Sequence, residues 1–299
     1  MSVKKTVAKV GLPLLAAGAV CTVAAIGVTA DQSDQNKHTS STAAQPKAPV
    51  AKASVGDPDN PATWHLPIEA YMPTTAQTRL VSGVRDDLMD TCMKAAGYDQ
   101  WTPAPDLPPI GGKTVTDWRY GIHDAALAAQ NGYHPDPAEQ QAYDAAMTEG
   151  AVDETGADEA QVRECAQQAD GSVPTAQTAD LVQQIDGDAY QAAMQEPTVV
   201  SAFSGWSTCM KEKGYAYAKP MDANDDEQFN DPYTISDAEI ATATADVACR
   251  DKYDVEKTWF DAEVVLQEAA IKENQAALDA IRTGTQSTVA KASALAKQN

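Results

Sequence analysis

Cys92, Cys165, Cys209 and Cys249 are the residues whose type and number point most directly to chemistry. No two of them have the short spacing of a zinc site. An even number of cysteines in an exported domain reads as two disulfides, and four cysteines allow three pairings. A fifth, Cys21, sits in an apolar N-terminal stretch.

Histidine is scarce. Beyond His38, only His65, His123 and His134 are available for acid–base or metal work. None belongs to an H-E-x-x-H pair, and no G-x-S-x-G elbow is present. The one S-x-x-K tetrad, Ser2–Lys5, lies in the N-terminal segment. His123 with Asp124, and His134 with Asp136, can each be drawn as an acid–base or metal pair. A polar loop histidine ordinarily faces solvent, and that is the plainer expectation. Gly111-Gly112-Lys113-Thr114 looks like half a phosphate loop but lacks its first glycine, so it reads as a turn.

Asp222, Asn224 and Asp226 alternate like the start of a calcium loop. Glu227 then stands where the sharp turn needs glycine, and Tyr233 where a bidentate glutamate belongs, so at most a weak calcium module is expected. Trp101 and Trp118 fall in a Pro- and Gly-rich segment and are candidates to line a glycan or peptide groove, loop packing being the simpler alternative. No cofactor is implied.

These residues need elements to hold them. Leu80, Val84, Leu88 and Cys92 recur every four residues, which predicts a helix over 75–96. Helical stretches follow near 123–131, 136–148, 157–170 and 176–195. Pro197 opens another, carrying Val199, Phe203, Trp206 and Met210. Ser236-Asp237-Ala238-Glu239 is a capping box for the next. A last helix, about 255–282, presents Val255, Trp259, Ala262, Leu266, Ala269, Ala277 and Ile281 on one face. Residues 101–119 read as irregular, and no strand is expected.

Two helices end alike, in Cys92-Met93-Lys94-Ala95-Ala96-Gly97-Tyr98 and Cys209-Met210-Lys211-Glu212-Lys213-Gly214-Tyr215. The glycine suits the left-handed position that closes a helix, the tyrosine packs back on the last turn, and the lysine complements the helix dipole. Each cysteine then lies one turn before the cap. The chain thus runs motif, cysteine, motif, cysteine. The simplest pairing keeps each bond in its own half, Cys92–Cys165 and Cys209–Cys249.

The chain has 22 basic and 43 acidic side chains, a net −21. Residues 1–30 hold three lysines and no acid, which leaves −24 on the rest. That field repels nucleic acid and anionic lipid, so neither is an expected partner. Met1–Lys9 is basic and 10–30 is uncharged, the pattern of an export signal with the lysine end inside. A cleaved signal, a retained anchor and a lipid-modified Cys21 remain open, and each places residue 31 onward outside. The membrane is then met only through this segment.

Residues 31–63 read as a flexible tether, 64–284 as an all-α domain with halves of about 64–172 and 173–284, each closed by a disulfide, and 285–299 as a polar, weakly helical tail.

The chain resembles an uncharacterised family of exported actinobacterial proteins, many of them lipoproteins. The resemblance rests on Leu66–Thr74 (LPIEAYMPT), both C-M-K-x-x-G-Y motifs, Asn131-Gly132-Tyr133-His134, and Glu239–Arg250 (EIATATADVACR) leading into Trp259. It implies export and disulfides and brings no activity. With no legible catalytic set, the function expected is a non-enzymatic, extracellular cell-envelope interaction or accessory protein, partnered by an envelope protein or a wall component. The alternative is a wall hydrolase with a carboxylate pair that has no sequence signature.

Overall fold

The structure, a computed structural model, describes residues 50–150 and 156–297. The export segment, Cys21 and residues 31–49 of the expected tether lie outside the described residues. From Val50 the tether expectation is corrected. Strand β1 (Ser54–Val55) pairs antiparallel with β2 (Trp64–His65), and Val50, Ala51 and Ala53 pack on the main core. The Trp64 indole N–H donates to the Asp57 carbonyl at 2.8 Å, drawing this segment onto the body.

Two short 3-10 turns, Pro61–Thr63 and Pro67–Tyr71, precede the helices. Nine α-helices follow among the described residues. They are α1 (Thr75–Ala95), α2 (Ala125–Asn131), α3 (Pro137–Gly150), α4 (Glu159–Ser172), α5 (Asp180–Ala193), α6 (Pro197–Glu212), α7 (Pro220–Asn224), α8 (Asp237–Tyr253) and α9 (Val255–Leu295). The fold is all-α. None of the described helices is long and apolar enough to cross a membrane.

The repeated heptad is a pair of helix terminators. In α1 the Tyr98 N–H donates to the Met93 carbonyl at 3.0 Å and the Gly97 N–H to the Lys94 carbonyl at 3.0 Å. In α6 the Tyr215 N–H donates to Met210 at 2.9 Å and the Gly214 N–H to Lys211 at 3.1 Å. Gly97 and Gly214 take φ of +96° and +98°, where a side chain would be strained. The disulfides are Cys92–Cys165, joining α1 to α4, and Cys209–Cys249, joining α6 to α8. Two such bonds are compatible with an oxidising compartment.

Each disulfide stays within one half, yet the halves share a core. Helix α2 packs on α8, and the Pro67–Tyr71 turn packs on α9. Leu66, Ile68, Tyr71 and Tyr120 from the first half lie in one cluster with Phe203, Trp206, Trp259 and Phe260 from the second. Helix α9 is the spine, touching α1, α5, α6, α8 and the Pro67–Tyr71 turn.

Two expectations for α9 are revised. It continues through the residues assigned to a tail: Ala292 is buried, and Val289 and Leu295 pack against Val81 and Val84 of α1. Spaced three apart, these side chains share one face. Its buried stripe is also rotated from the apolar one. Ala269 and Ala277 are exposed, whereas Glu256, Glu263, Gln267 and Gln275 are buried. The polar side chains have partners that the sequence does not display: Gln267 accepts from the Ile68 N–H at 3.1 Å, and Gln275 donates to the Tyr71 hydroxyl at 3.0 Å.

Replacing both Cys209 and Cys249 by Ala is expected to lower stability by about 4 kcal/mol on the chain-entropy account of loop closure. Urea unfolding of the purified oxidised proteins measures it. A loss under 1 kcal/mol would mean that α6 and α8 are held by packing alone.

Candidate functional site

Helix α8 ends and α9 begins with a single residue between them. Asp254 adopts the left-handed conformation, φ +48° and ψ +46°, and is the one non-glycine residue with positive φ among those described. Aspartate tolerates this conformation better than most side chains, and such residues cluster at functional sites. The tight reversal sets Asp251, Asp254 and Glu256 close together.

Facing them is the segment 58–64. Its position is fixed by Thr116, whose buried hydroxyl lies 2.8 Å from the Pro61 carbonyl and 2.7 Å from that of Trp64. Between the two walls is a cleft of about 310 Å³ lined by Asp59, Trp64, His123, Asp251, Asp254 and Glu256. Lys257 also lines it, but its ammonium sits 2.5 Å from both carboxylate oxygens of Asp261. The cleft therefore gathers four carboxylates and no basic side chain that lacks a carboxylate partner.

The carboxyls are not equivalent. Glu256 is pushed from the usual glutamate value near 4.5 up to about 7. Burial is the chief cause, opposed by Arg250 and by its own backbone N–H and reinforced by Asp246 and Asp251. Its Oε1 accepts no hydrogen bond, and Arg250 Nη1 stands 3.7 Å away. Burial also raises Asp251, which His123 opposes and Asp59 reinforces. His123 Nε2 pairs with Asp117 Oδ1 at 2.8 Å, and Asp117 Oδ2 accepts from the Lys113 N–H at 2.6 Å. A partly buried His–Asp pair thus closes one end of the cleft. Perturbed carboxyls in a concave site mark a candidate functional centre.

The other sequence candidates fall elsewhere. His134 is not solvent-facing: Nδ1 lies 2.6 Å from Glu239 Oε1, which also accepts from the Tyr133 N–H at 2.9 Å. A Cβ at Gly132 would collide with that carboxylate. Asn131-Gly132-Tyr133-His134 is therefore a clasp around a buried glutamate and serves packing. His123, too, is mostly buried rather than outward. Trp101 is buried against Met93 and the first disulfide, while Trp118 packs on the main core beside Gly111, so the two line no common groove. Gly111 to Thr114 is a bent loop segment, its Lys113 paired with Glu139.

The calcium candidates do not converge. Asp222 caps α7 by accepting the Lys219 N–H at 2.9 Å, and Asn224 donates to Asp225 at 2.9 Å. Asp226 accepts the Tyr217 hydroxyl at 2.6 Å, which holds its carboxyl below the ordinary aspartate value. Among the described residues no three His, Cys, Asp or Glu side chains come together in a way that suits a metal ion.

Asp59, Asp117, Asp251, Asp254 and Glu256 had no sequence signature. The nearest signal is Asp251-Lys252-Tyr253-Asp254-Val255-Glu256, a charged run interrupting two helical patterns without glycine or proline. Comparison with protein-family models, curated proteins and solved structures finds no match to this chain.

A carboxyl whose folded value exceeds its unfolded one binds more protons when folded. Stability is then greatest below about pH 4.5 and falls as pH rises toward about 7. For Glu256 the loss between pH 5 and pH 8 amounts to about 2 to 3 kcal/mol. Glu256→Gln should lose less stability by that amount across the same interval in denaturant titrations. Equal pH dependence in both proteins would contradict the assignment.

Proposed function

We propose that this chain is an exported, non-enzymatic accessory protein of the cell envelope, and that its cleft holds a cationic, amine-bearing group of a wall component. The observation that carries the reading is the cleft at the α8–α9 turn, where Asp59, Asp251, Asp254 and Glu256 surround a void and its lysine is engaged by Asp261. An ammonium entering there meets the exposed carboxylates of Asp59, Asp251 and Asp254 beside the buried carboxyl of Glu256. Asp117 holds His123 at the rim. Sugar recognition is less well supported, because Trp64 is edge-bound to Asp57 and buried, offering no open face for stacking.

The address is part of the same proposal. The basic Met1–Lys9, the uncharged 10–30 stretch and the two disulfides support a place on the outer side of the cytoplasmic membrane, anchored or secreted.

A wall hydrolase is the second reading, and one observation favours it. A glutamic acid raised to about 7 beside a second carboxyl suits a general acid at neutral pH. The two readings separate in one experiment. The exported protein is incubated with purified wall material before and after acetylation of its free amines. Binding is expected to fall at least fivefold on acetylation, and equally in the double variant Asp251→Asn, Glu256→Gln, with no soluble product at any time. Unchanged binding after acetylation would overturn the amine reading. Release of soluble sugar or peptide by the native protein, abolished by Glu256→Gln, would establish the hydrolase.

A further inference from the structure

Helix α3 buries none of its residues. A helix of that length is marginal in water without tertiary packing, and this one is tied down at its edges by polar contacts. Glu139 accepts the Gly111 N–H at 3.2 Å and pairs with Lys113, and Asp144 accepts the Tyr233 hydroxyl at 2.7 Å. Between α3 and the 232–235 segment lies an open groove of about 800 Å³. Ala145, Pro232, Tyr233 and Ile235 supply its apolar surface, and Asp144 and Glu149 stand on its rim. Tyr233 is 72% exposed, the most exposed large apolar side chain among the described residues, and Met147 of α3 is 47% exposed.

The charged side chains that line this groove, Asp144 and Glu149, are both acidic, and Lys113 nearby is engaged by Glu139. Residues 120–162, which contain α3, hold nine acids and neither lysine nor arginine. Residues 220–249, which contain the facing segment, hold eight acids, of which Glu239 and Asp246 are buried, and again no lysine or arginine. A second copy of the chain would bring like charges together, and phosphate-bearing surfaces would be repelled.

We infer that this groove docks a basic, amphipathic segment of a partner protein, its apolar side chains seated on Ala145, Tyr233 and Ile235 and its lysines or arginines reaching Asp144 and Glu149. The mode is that of a helix laid in a groove, where apolar anchors give affinity and charge gives orientation and encounter rate. The site is separate from the acidic cleft, and its test leaves the cleft intact.

The probe is a fluorescently labelled 18-residue peptide of leucine and lysine patterned as an amphipathic helix, with a leucine–glutamate peptide of the same pattern beside it. Anisotropy titration against the full chain should show saturable binding of the lysine peptide and at least tenfold weaker binding of the glutamate peptide. Ala145→Lys, at an exposed position, should weaken the lysine peptide at least tenfold with unchanged melting temperature, and Tyr233→Ser, which also removes the hydroxyl tie to Asp144, should weaken it at least tenfold. Val265→Ser, an exposed apolar position on α9, should bind like the native protein. Equal affinity across all four proteins would overturn the inference, since binding would then be charge attraction alone. Failure of the lysine peptide to bind, or self-association that Tyr233→Ser abolishes, would overturn it as well.

Discussion

The buried guanidinium of Arg250 is the constraint around which this fold is arranged. The side chain is fully enclosed, and four other parts of the chain converge on it and on its partner Asp246. Its Nε donates to Asp246 on the same helix at 2.6 Å, and its Nη1 donates to the Tyr120 carbonyl. Asp246 in turn accepts the Trp206 indole of α6 at 2.7 Å and the Tyr133 hydroxyl beyond α2 at 3.2 Å. Glu256 on α9 lies at 3.7 Å. Position 121 must be glycine, because at φ +108° any Cβ would strike the guanidinium. Removing one partner of such a pair strands a charge in a low-dielectric interior, at a cost of about 3–5 kcal/mol. The loop at 120–121, α2, α6, α8 and α9 are thereby committed to one arrangement.

This arrangement explains why the acidic cleft has unusual chemistry. Asp246 already balances the charge of Arg250, so the second carboxyl, Glu256, gains little by ionising and much by keeping its proton. Burial then outweighs the arginine, and Glu256 rises to about 7. A second buried arginine shows the contrast. Arg119 pairs with Asp186 at 2.9 Å and Glu263 at 2.7 Å, and Glu263 also takes the Tyr120 hydroxyl at 2.8 Å and Gln267 at 2.8 Å. That network leaves no side-chain atom without a partner. Around Arg250 two atoms, its Nη2 and Glu256 Oε1, lack hydrogen bonds. The satisfied network reads as structure, and the under-satisfied one, opening on a cleft, is where a ligand's polar group has something to gain.

What the sequence made legible follows from how local each signal is. The C-M-K-x-x-G-Y endings work through hydrogen bonds spanning a few residues, so glycine and tyrosine could be assigned their roles directly. The disulfide pairing followed from the order of those motifs. The buried stripe of α9 was hidden because Glu263, Gln267 and Gln275 are buried by partners more than eighty residues away in sequence, Arg119, Ile68 and Tyr71, and no hydrophobic period reports such pairing. Val289, Ala292 and Leu295 looked like a tail because their burial depends on meeting Val81 and Val84 of a distant helix. His123 and His134 were expected outward for the same reason, since Asp117 and Glu239 become their partners only in the folded chain. The cleft depends on Asp254 adopting a left-handed turn, which aspartate permits but does not announce.

The two disulfides, alike in sequence, do different work. Cys209–Cys249 lies within the main core, where Trp206, Trp259, Phe260 and the Arg250 cluster already hold α6, α8 and α9 together. Cys92–Cys165 belongs to a satellite cluster whose buried members are Met93, Trp101 and Cys165 alone. Helix α4 contributes two buried residues, Cys165 and Ala169, and the guanidinium of Arg85 reaches its end through Val173 and Asp170. With so little apolar area behind it, the α1–α4 unit depends on its covalent bond more than the core depends on its own. Helix α3 sits in the connection between α2 and α4, and buries nothing. The polar ties to Gly111, Lys113 and Tyr233 are what keep this exposed acidic helix near the body. A core rich in large aromatics and a periphery fixed by covalent bonds and polar ties together let an acidic surface stay exposed without loosening the fold that carries it.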